Sequence, residues 1–544
     1  MSKFYDQFEN NSNVHINTLD QSHLPMLHDH MIVSTHNKRK LNLKAHQLPN
    51  KDVHVNTNWW RYKVRSDCST CLQNGTEAII YLDRNAGSGH QNQLYARMVI
   101  QNNTGSACEL VNAPHLIDQI EKFTPSGTSI QVTYGQELWN NLVRYHSQEE
   151  WNKIARLLNS NRNYGRGKPI PNGATVVYYV PLISNFLDVA QFPSYVIDGD
   201  LKISIRFRNP SQTVISGSAP TLVDLTIESH MEQLPSHKLN AYRQKYKSQV
   251  HHFFIPYIRR QTFNQVLNVN QTYEVNLSSI KGDVVWVDLF VRNSNSTGIN
   301  LRNYLPLTSF EWLDHNGDQL NGQQVVEART NLDIMQRHYW PADYVSRDFN
   351  NLYAFSFSID DSAPIHYLCN GTKLGSFPFT TYERLRITTT GAGVNEVQRT
   401  VVAGGAGASG TYFINWQTPY GVESTPALAY NSTTAQIKSA IEALQSFDGI
   451  VTVGATLDQT VSPATFTFSG NYANKELFNK GYKVIVRNNS VQTAGAVQLQ
   501  YDNILVTSGV DGITDGANYE INVIAYTTSV LGLQPNGSID VRHV

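Results

Sequence analysis

Short runs of alternating apolar and polar residues dominate this chain from Trp59 onward. In the clearest, Leu201, Ile203, Ile205 and Phe207 are set against Lys202, Ser204, Arg206 and Arg208. Strand side chains point alternately to opposite faces, so this run predicts a strand with its apolar face inward and its polar face outward. Residues 95–100, 174–179 and 222–227 are further strand expectations, less strictly alternating but rich in β-branched and aromatic residues. The pattern restarts at Phe253-Phe254-Ile255-Pro256 and continues through 273–277, 284–291, 352–359, 385–388, 519–533 and 538–541. Helical periodicity is rare. Ser147-Gln148-Glu149-Glu150 is a capping box ahead of Trp151, Ile154, Ala155 and Leu158, which predicts one helix. A second is expected around 237–247, after Pro235, linking two halves.

The halves share a motif. Phe192-Pro193, a short polar turn and Leu201-Lys202-Ile203 recur in outline as Phe377-Pro378, a turn and Leu385-Arg386-Ile387. The copies lie about 185 residues apart, the length of one all-β domain. Short strands separated by turns suggest sandwiches of the jelly-roll kind. The expected fold class is therefore all-β: two tandem jelly-roll β-sandwiches with an inserted small α+β domain. The expected division is 1–50 as an N-terminal arm, 51–235 as the first jelly roll and 236–248 as a linker helix. Residues 249–391 and 518–544 make the second roll, with 392–517 inserted in it.

The insert opens with the flexible run Gly404-Gly405-Ala406-Gly407-Ala408-Ser409-Gly410. Strands are expected at 412–416, 450–453, 464–468 and 482–487. Between the first two, a helix over 434–446 has Ile437, Ile441 and Leu444 on one face, Ser432 or Thr433 as cap and Asp448-Gly449 as stop.

Composition narrows the function. The 544 residues are 40% hydrophobic and only 16% charged, with a net charge of −1, and nucleic-acid binders usually carry a basic excess. The first residues lack an apolar core and no run approaches the 18 apolar residues of a membrane span, so the expectation is a soluble chain made in the cytoplasm. Asn-x-Ser/Thr triplets such as Asn370-Gly371-Thr372 and Asn536-Gly537-Ser538 are then expected to carry no glycan.

Candidate chemistry is sparse. Cys68-Ser69-Thr70-Cys71 has redox or half-zinc spacing, but no further ligands sit nearby and a loop is expected after it; with Cys108 and Cys369 it is expected to stay reduced. Gly405-x-Gly407-x-x-Gly410 matches a dinucleotide fingerprint, yet the following residues predict a strand where that motif needs a helix. His28-Asp29-His30, with His23 and His36, lies in the polar arm without a following Glu before Glu77 and is expected to be solvated. Lys38, Arg39, Lys40 and Lys44 form a small basic patch, a solvated tail or a genome- or membrane-facing contact whose weak affinity many copies would multiply. No catalytic motif stands out, and no enzyme activity, cofactor or metal is expected.

Three stretches carry a family resemblance. Tyr179-Val180-Pro181-Leu182, Phe192-Pro193 and the 201–207 strand resemble the segment that closes the first jelly roll of the double jelly-roll major capsid proteins of tailless icosahedral double-stranded DNA viruses. Tyr519–Tyr526 through Val530-Leu531-Gly532-Leu533 resembles that family's penultimate strand, and Gly537-Ser538-Ile539-Asp540-Val541 its last. The resemblance covers roughly residues 51–391 and 518–544. The insert resembles a small domain of bacteriophage virion proteins through Ala429-Tyr430-Asn431-Ser432-Thr433-Thr434-Ala435, Ile441-Glu442-Ala443-Leu444 and Ile450-Val451-Thr452-Val453, which favours a bacterial host.

The resemblance implies a structural protein of the virion. Homotrimers would form pseudo-hexagonal capsomers, meeting neighbouring capsomers, penton, minor capsid or cement proteins, and an internal membrane or genome through the arm. Trp59, Trp60, Trp286, Trp312 and Trp340 are candidates for trimer faces, or else core residues of the sandwiches. A phage spike recognising a host surface ligand is the alternative; it leaves the duplication unexplained. A cupin-type metalloenzyme is a third reading, and it needs His ligands within strands.

Overall fold

The structure, a computed structural model, describes residues 56–64, 67–84, 91–145, 157–158, 168–182, 193–233, 236–320, 326–327, 351–357, 377–400, 410–419, 421–444, 446–447, 449–455, 464–489 and 503–543. The first half contains strands β1 (Asn56–Lys63), β2 (Glu77–Leu82), β3 (Gln91–Gln101), β4 (Ile117–Phe123), β5 (Ser129–Tyr134), β6 (Thr175–Pro181), β7 (Leu201–Phe207) and β8 (Thr221–Gln233). They pair antiparallel in two sheets, ordered β1-β8-β3-β6 and β2-β7-β4-β5.

The second half contains β9 (His251–Leu267), β10 (Thr272–Asn276), β11 (Gly282–Asn293), β12 (Leu307–Leu313), β13 (Val326–Glu327), β14 (Tyr353–Ser356), β15 (Arg384–Thr389) and β16 (Ala517–Leu533). Its sheets are ordered β9-β16-β11-β14 and β10-β15-β12-β13. Each strand of the first half thus has a counterpart eight numbers later, with the same neighbours. Apart from the β4–β5 and β12–β13 pairs, successive strands cross between the two sheets of a roll, which is jelly-roll topology. A short strand, Phe377–Phe379, adds to β11, and β17 (Ile539–His543) adds to β16.

The repeated motif marks equivalent positions. β7 lies between β2 and β4, and β15 between β10 and β12. The segments before them differ: Pro193 leads into a 3-10 turn over Ser194–Val196, whereas Phe377-Pro378-Phe379 is itself a strand.

Alternation holds in β7, where Leu201, Ile203, Ile205 and Phe207 are at most 2% exposed. Two polar residues expected outward are nevertheless buried. The Ser204 hydroxyl donates to Glu77, and Arg208 is covered because the second roll closes over that end. β4 and β12 escaped expectation because register shifts, at Ile117/Gln119 and Lys122/Phe123 in one and Leu307/Ser309 in the other, break the two-residue period.

β9 and β16 pair over their full lengths, His251 opposite Leu533 and Leu267 opposite Ala517. Seventeen residues at strand rise make a ribbon of about 55 Å. Phe253, Ile255, Leu531 and Leu533 at one end join the first roll's core, together with Ile539 of β17. Ile521, Val523 and Ala525 lie in the second core.

Among the described residues three helices are longer than a turn or two: α1 (Gly135–Tyr145), α2 (Ser236–Ser248) and α3 (Thr434–Glu442). α2 is where Pro235 placed it. The capping-box helix after Ser147 lies outside the described residues apart from Leu157 and Leu158. α1 was not expected. It starts at Gly135, where a Cβ would stand 2.1 Å from Ile117 O and 2.2 Å from Pro114 O, so only glycine fits.

Between β15 and β16 the chain forms two small sheets. One runs Ile450–Val453, Thr465–Ser469, Val397–Thr400, Asn503–Thr507; the other centres on Thr411–Thr418, flanked by Gly421–Ser424 and Lys483–Asn488. Thr433 caps α3 in a reciprocal box with Gln436. The helix ends four residues before the expected Ser446, because the chain turns at Ala443 to bury Leu444 and Phe447. Ser446 N then donates to Glu423 Oε2 at 2.6 Å. Trp416, fully buried, is ringed by Phe447, Phe468, Tyr472 and Tyr482 with centroids 5.1–5.9 Å away. Glu396 is fully buried and accepts from the backbone N–H groups of Leu477 and Phe478, so its charge is satisfied within the fold.

Trp416→Ala should cost the insert about 3–5 kcal/mol. Hydrogen exchange should then quicken in 411–488 while 94–134 stays protected; equal loss in both regions contradicts a separate core.

Candidate functional site: the face between the rolls

α1 follows directly from β5 and has two buried faces. Leu138, Trp139 and Leu142 enter the first roll's core, while Gln136, Asn140 and Asn141, each at most 1% exposed, face the second roll. Gln136 Nε2 donates to the Tyr304 hydroxyl, which donates to Asn140 Oδ1 at 2.8 Å. The Tyr526 hydroxyl lies 3.3 Å from Asn141 Oδ1 and 3.2 Å from Asp288 Oδ2, and donates to one at a time. Asp288, fully buried, also accepts from Trp286 Nε1 at 2.7 Å.

The partner face is one side of the β9-β16-β11-β14 sheet. Trp286, Asp288, Phe290 and Arg292 of β11 stand opposite Tyr526, Ile524, Asn522 and Glu520 of β16. Ile258, Trp286, Phe290, Tyr304, Ile524 and Tyr526 form an apolar cluster of their own, separate from the second roll's core. Both faces of this sheet are therefore buried, one within the roll and one against α1.

Beside the apolar cluster the contact turns cationic. The Arg260 guanidinium lies 5.2 Å from the centre of the Tyr134 ring. Arg292 Nε is 2.8 Å from Glu520 Oε2. Arg208 Nε donates to Ile117 O at 3.3 Å. Burial first, and the like charge of Arg292 second, push Arg208 down to about 10. Burial likewise lowers Arg260.

The tryptophans that were candidates for trimer faces divide accordingly. Trp286 packs between the rolls and Trp312 in the second core, each 1% exposed, so within this chain neither is available to a trimer face. Only the backbones of Trp59 and Trp60, in β1, are described, and Trp340 lies outside the described residues.

Cys68 and Cys71 form a disulfide, contrary to the expected reduced thiols. A one-turn helix, Cys71–Asn74, follows where a loop was expected, and brings their Cα atoms to 5.0 Å, within bridging range. Cys108 is free and buried, and burial raises its thiol pKa; Cys369 lies outside the described residues.

A strand, Thr411–Thr418, follows Gly410, so the helix a dinucleotide fingerprint requires is missing there. Lys38, Arg39, Lys40, Lys44 and the histidines of the arm lie outside the described residues. Among the described residues no group of three or more His, Cys, Asp or Glu could hold a metal ion, and no helix is long and apolar enough to cross a membrane.

On the outer sheet of the second roll, Arg386 bridges Glu274 at 2.6 Å and Glu311 at 2.9 Å, and Arg384 reaches Glu274 at 3.0 Å. The Arg386 hydrogen bond is the main reason the Glu274 carboxyl titrates below its ordinary value.

The chain matches no protein-family model and no curated protein. Among solved structures it is similar to the PBCV-1 VP54 structure fitted into a reconstruction of the virophage Sputnik, with TM-score 0.51, 10% identity, and coverage of 91% of this chain and 98% of that chain. The Faustovirus major capsid protein (TM-score 0.46, 9% identity, 62% of this chain and 87% of that chain) and the mavirus major capsid protein (0.40, 8%, 92% and 94%) are more distant. The first likeness shows a shared fold, the double jelly roll; the other two add nothing to it. None of the three is named as a bacteriophage protein, so a bacterial host rests on the insert's motifs alone.

Two outcomes test these contacts. Tyr304→Phe strands the Gln136 amide donor and should cost about 1–3 kcal/mol in urea unfolding; no loss contradicts the contact. Glu274, its pKa lowered by folding, stabilises above its unfolded pKa and loses that contribution as pH falls through the folded value. The stability gap between wild type and Glu274→Gln should therefore shrink below the ordinary value of 4.5. A constant gap contradicts the pairing.

Proposed function

We propose that this chain is the major capsid protein of an icosahedral virus, a structural subunit rather than an enzyme. The observation that carries the reading is the repeated topology: two rolls with the same strand order, held side by side by buried contacts. Two similar rolls per chain give six in a trimer, a pseudo-hexagonal tile that packs laterally into a shell. The protein's place is then the virion, and its partners are two further copies of itself and the neighbouring capsomers.

Finer features belong to the same proposal. The division is arm 1–50, first roll 51–235, linker helix 236–248, second roll 249–391 with 518–544, and insert 392–517. Lys38, Arg39, Lys40 and Lys44 contact genome or an inner membrane, many copies adding up to useful affinity. The insert faces outward, towards host surface, penton or cement proteins. The spike reading has no observation of its own in its favour, because it gives no reason for the doubled roll.

Native mass spectrometry and negative-stain images of the purified chain test the tile. The expected species is a trimer of the 61.2 kDa chain with a six-fold outline. A monomer, or an elongated trimer without that outline, overturns the reading.

A further inference from the structure

Three arginines converge beside the polar contact of the rolls. Arg208 follows β7, Arg260 lies in β9 and Arg292 in β11, and each acts electrostatically on the others. Arg208 and Arg292 are each 5% exposed. The carboxylates near them are Glu520, bound to Arg292 at 2.8 Å, and Asp118, held by the more exposed Arg206 at 2.8 Å. Neither Arg208 nor Arg260 has a carboxylate in contact among the described residues.

Donors outnumber acceptors here. Arg208 Nε is bonded to Ile117 O, but its Nη2, also buried, meets no protein acceptor. Asn522 is fully buried, and its Oδ1 takes hydrogen bonds from Arg260 Nε and Nη2 and from Thr262 Oγ1. Its Nδ2 is left without a protein acceptor as well. Buried guanidinium groups are costly unless their charge is compensated. Burial and mutual repulsion press on the protonated state of Arg208, as its lowered pKa reflects.

We infer that the Arg208, Arg260 and Asn522 groups bind a compact inorganic anion, a halide or a phosphate-like oxyanion, at the junction of the two rolls. The anion accepts from Arg208 Nη2 and Asn522 Nδ2 and offsets the excess positive charge. Because Arg208 belongs to the first roll and Arg260 and Asn522 to the second, binding favours the docked arrangement over any that separates the rolls. This inference stands apart from the capsid reading.

The test is thermal unfolding of the full chain at constant ionic strength, exchanging gluconate, a bulky organic anion, for chloride or for phosphate between 1 and 100 mM. A ligand bound only by the folded state raises the midpoint with its concentration, here by about 2 °C or more in at least one arm. The arm that responds identifies the anion. Arg208→Gln should flatten that rise without altering the gluconate baseline by more than its own stability change. Identical midpoints in all three anions overturn the inference, as does a rise of equal size in Arg208→Gln. Should that variant not fold, wild-type crystals soaked in bromide, if the chloride arm responds, or in arsenate, if the phosphate arm does, decide. An anomalous peak within hydrogen-bond distance of Arg208 Nη2 supports the site, and its absence overturns it.

Discussion

Burying the polar face of α1 against the second roll is the constraint on which the arrangement of this molecule depends. Gln136, Asn140 and Asn141 sit where no water reaches them, so each needs a partner fixed in place. Tyr304, in the loop ahead of β12, and Tyr526, backed by Asp288, supply it, and Tyr526 and Asp288 are themselves mounted on the sheet that forms the back wall of the second core. Sliding one roll past the other would break several buried hydrogen bonds at once. An apolar contact alone tolerates such slippage, whereas a network of directional bonds specifies one register. The β9/β16 ribbon reinforces this by contributing side chains to both cores.

In the proposed shell subunit, that rigidity matters more than the exact strength of any bond. A tile made from six similar rolls keeps its outline only if the angle within each chain is fixed as firmly as the angles between chains. Placing the insert between β15 and β16 leaves this frame intact. Its own core, built around Trp416, closes without borrowing side chains from either roll. Asn303 Nδ2, donating to Gly470 O at 3.0 Å, is one tether between the second roll and the insert.

Much of the fold was legible because β7 and β15 obey the two-residue period, and the Phe-Pro motif ahead of them marks the same strand in both rolls. The insert's helix was legible from Ile437, Ile441 and its Thr433 cap. What stayed hidden follows from one rule failing. Arg208 was expected to face outward, and Gln136, Asn140 and Asn141 carried no pattern that singled them out; a second roll covers all four, and nothing local in the sequence announces that cover. Bulges hid β4 and β12 by shifting the period, and the Cys68–Cys71 bridge was missed because the one-turn helix beneath it is too short to show a helical pattern. The contact between the rolls was thus the least legible part of the molecule.

Held by these contacts, the two rolls form one rigid unit. Spin labels introduced as unnatural amino acids at Asn103 of the first roll and His315 of the second, both exposed, allow the distance between the rolls to be measured by double electron–electron resonance. A single narrow distribution is expected. A broad or multi-peaked one would contradict the account, because it would mean that the buried contact of α1 does not hold the rolls in one arrangement.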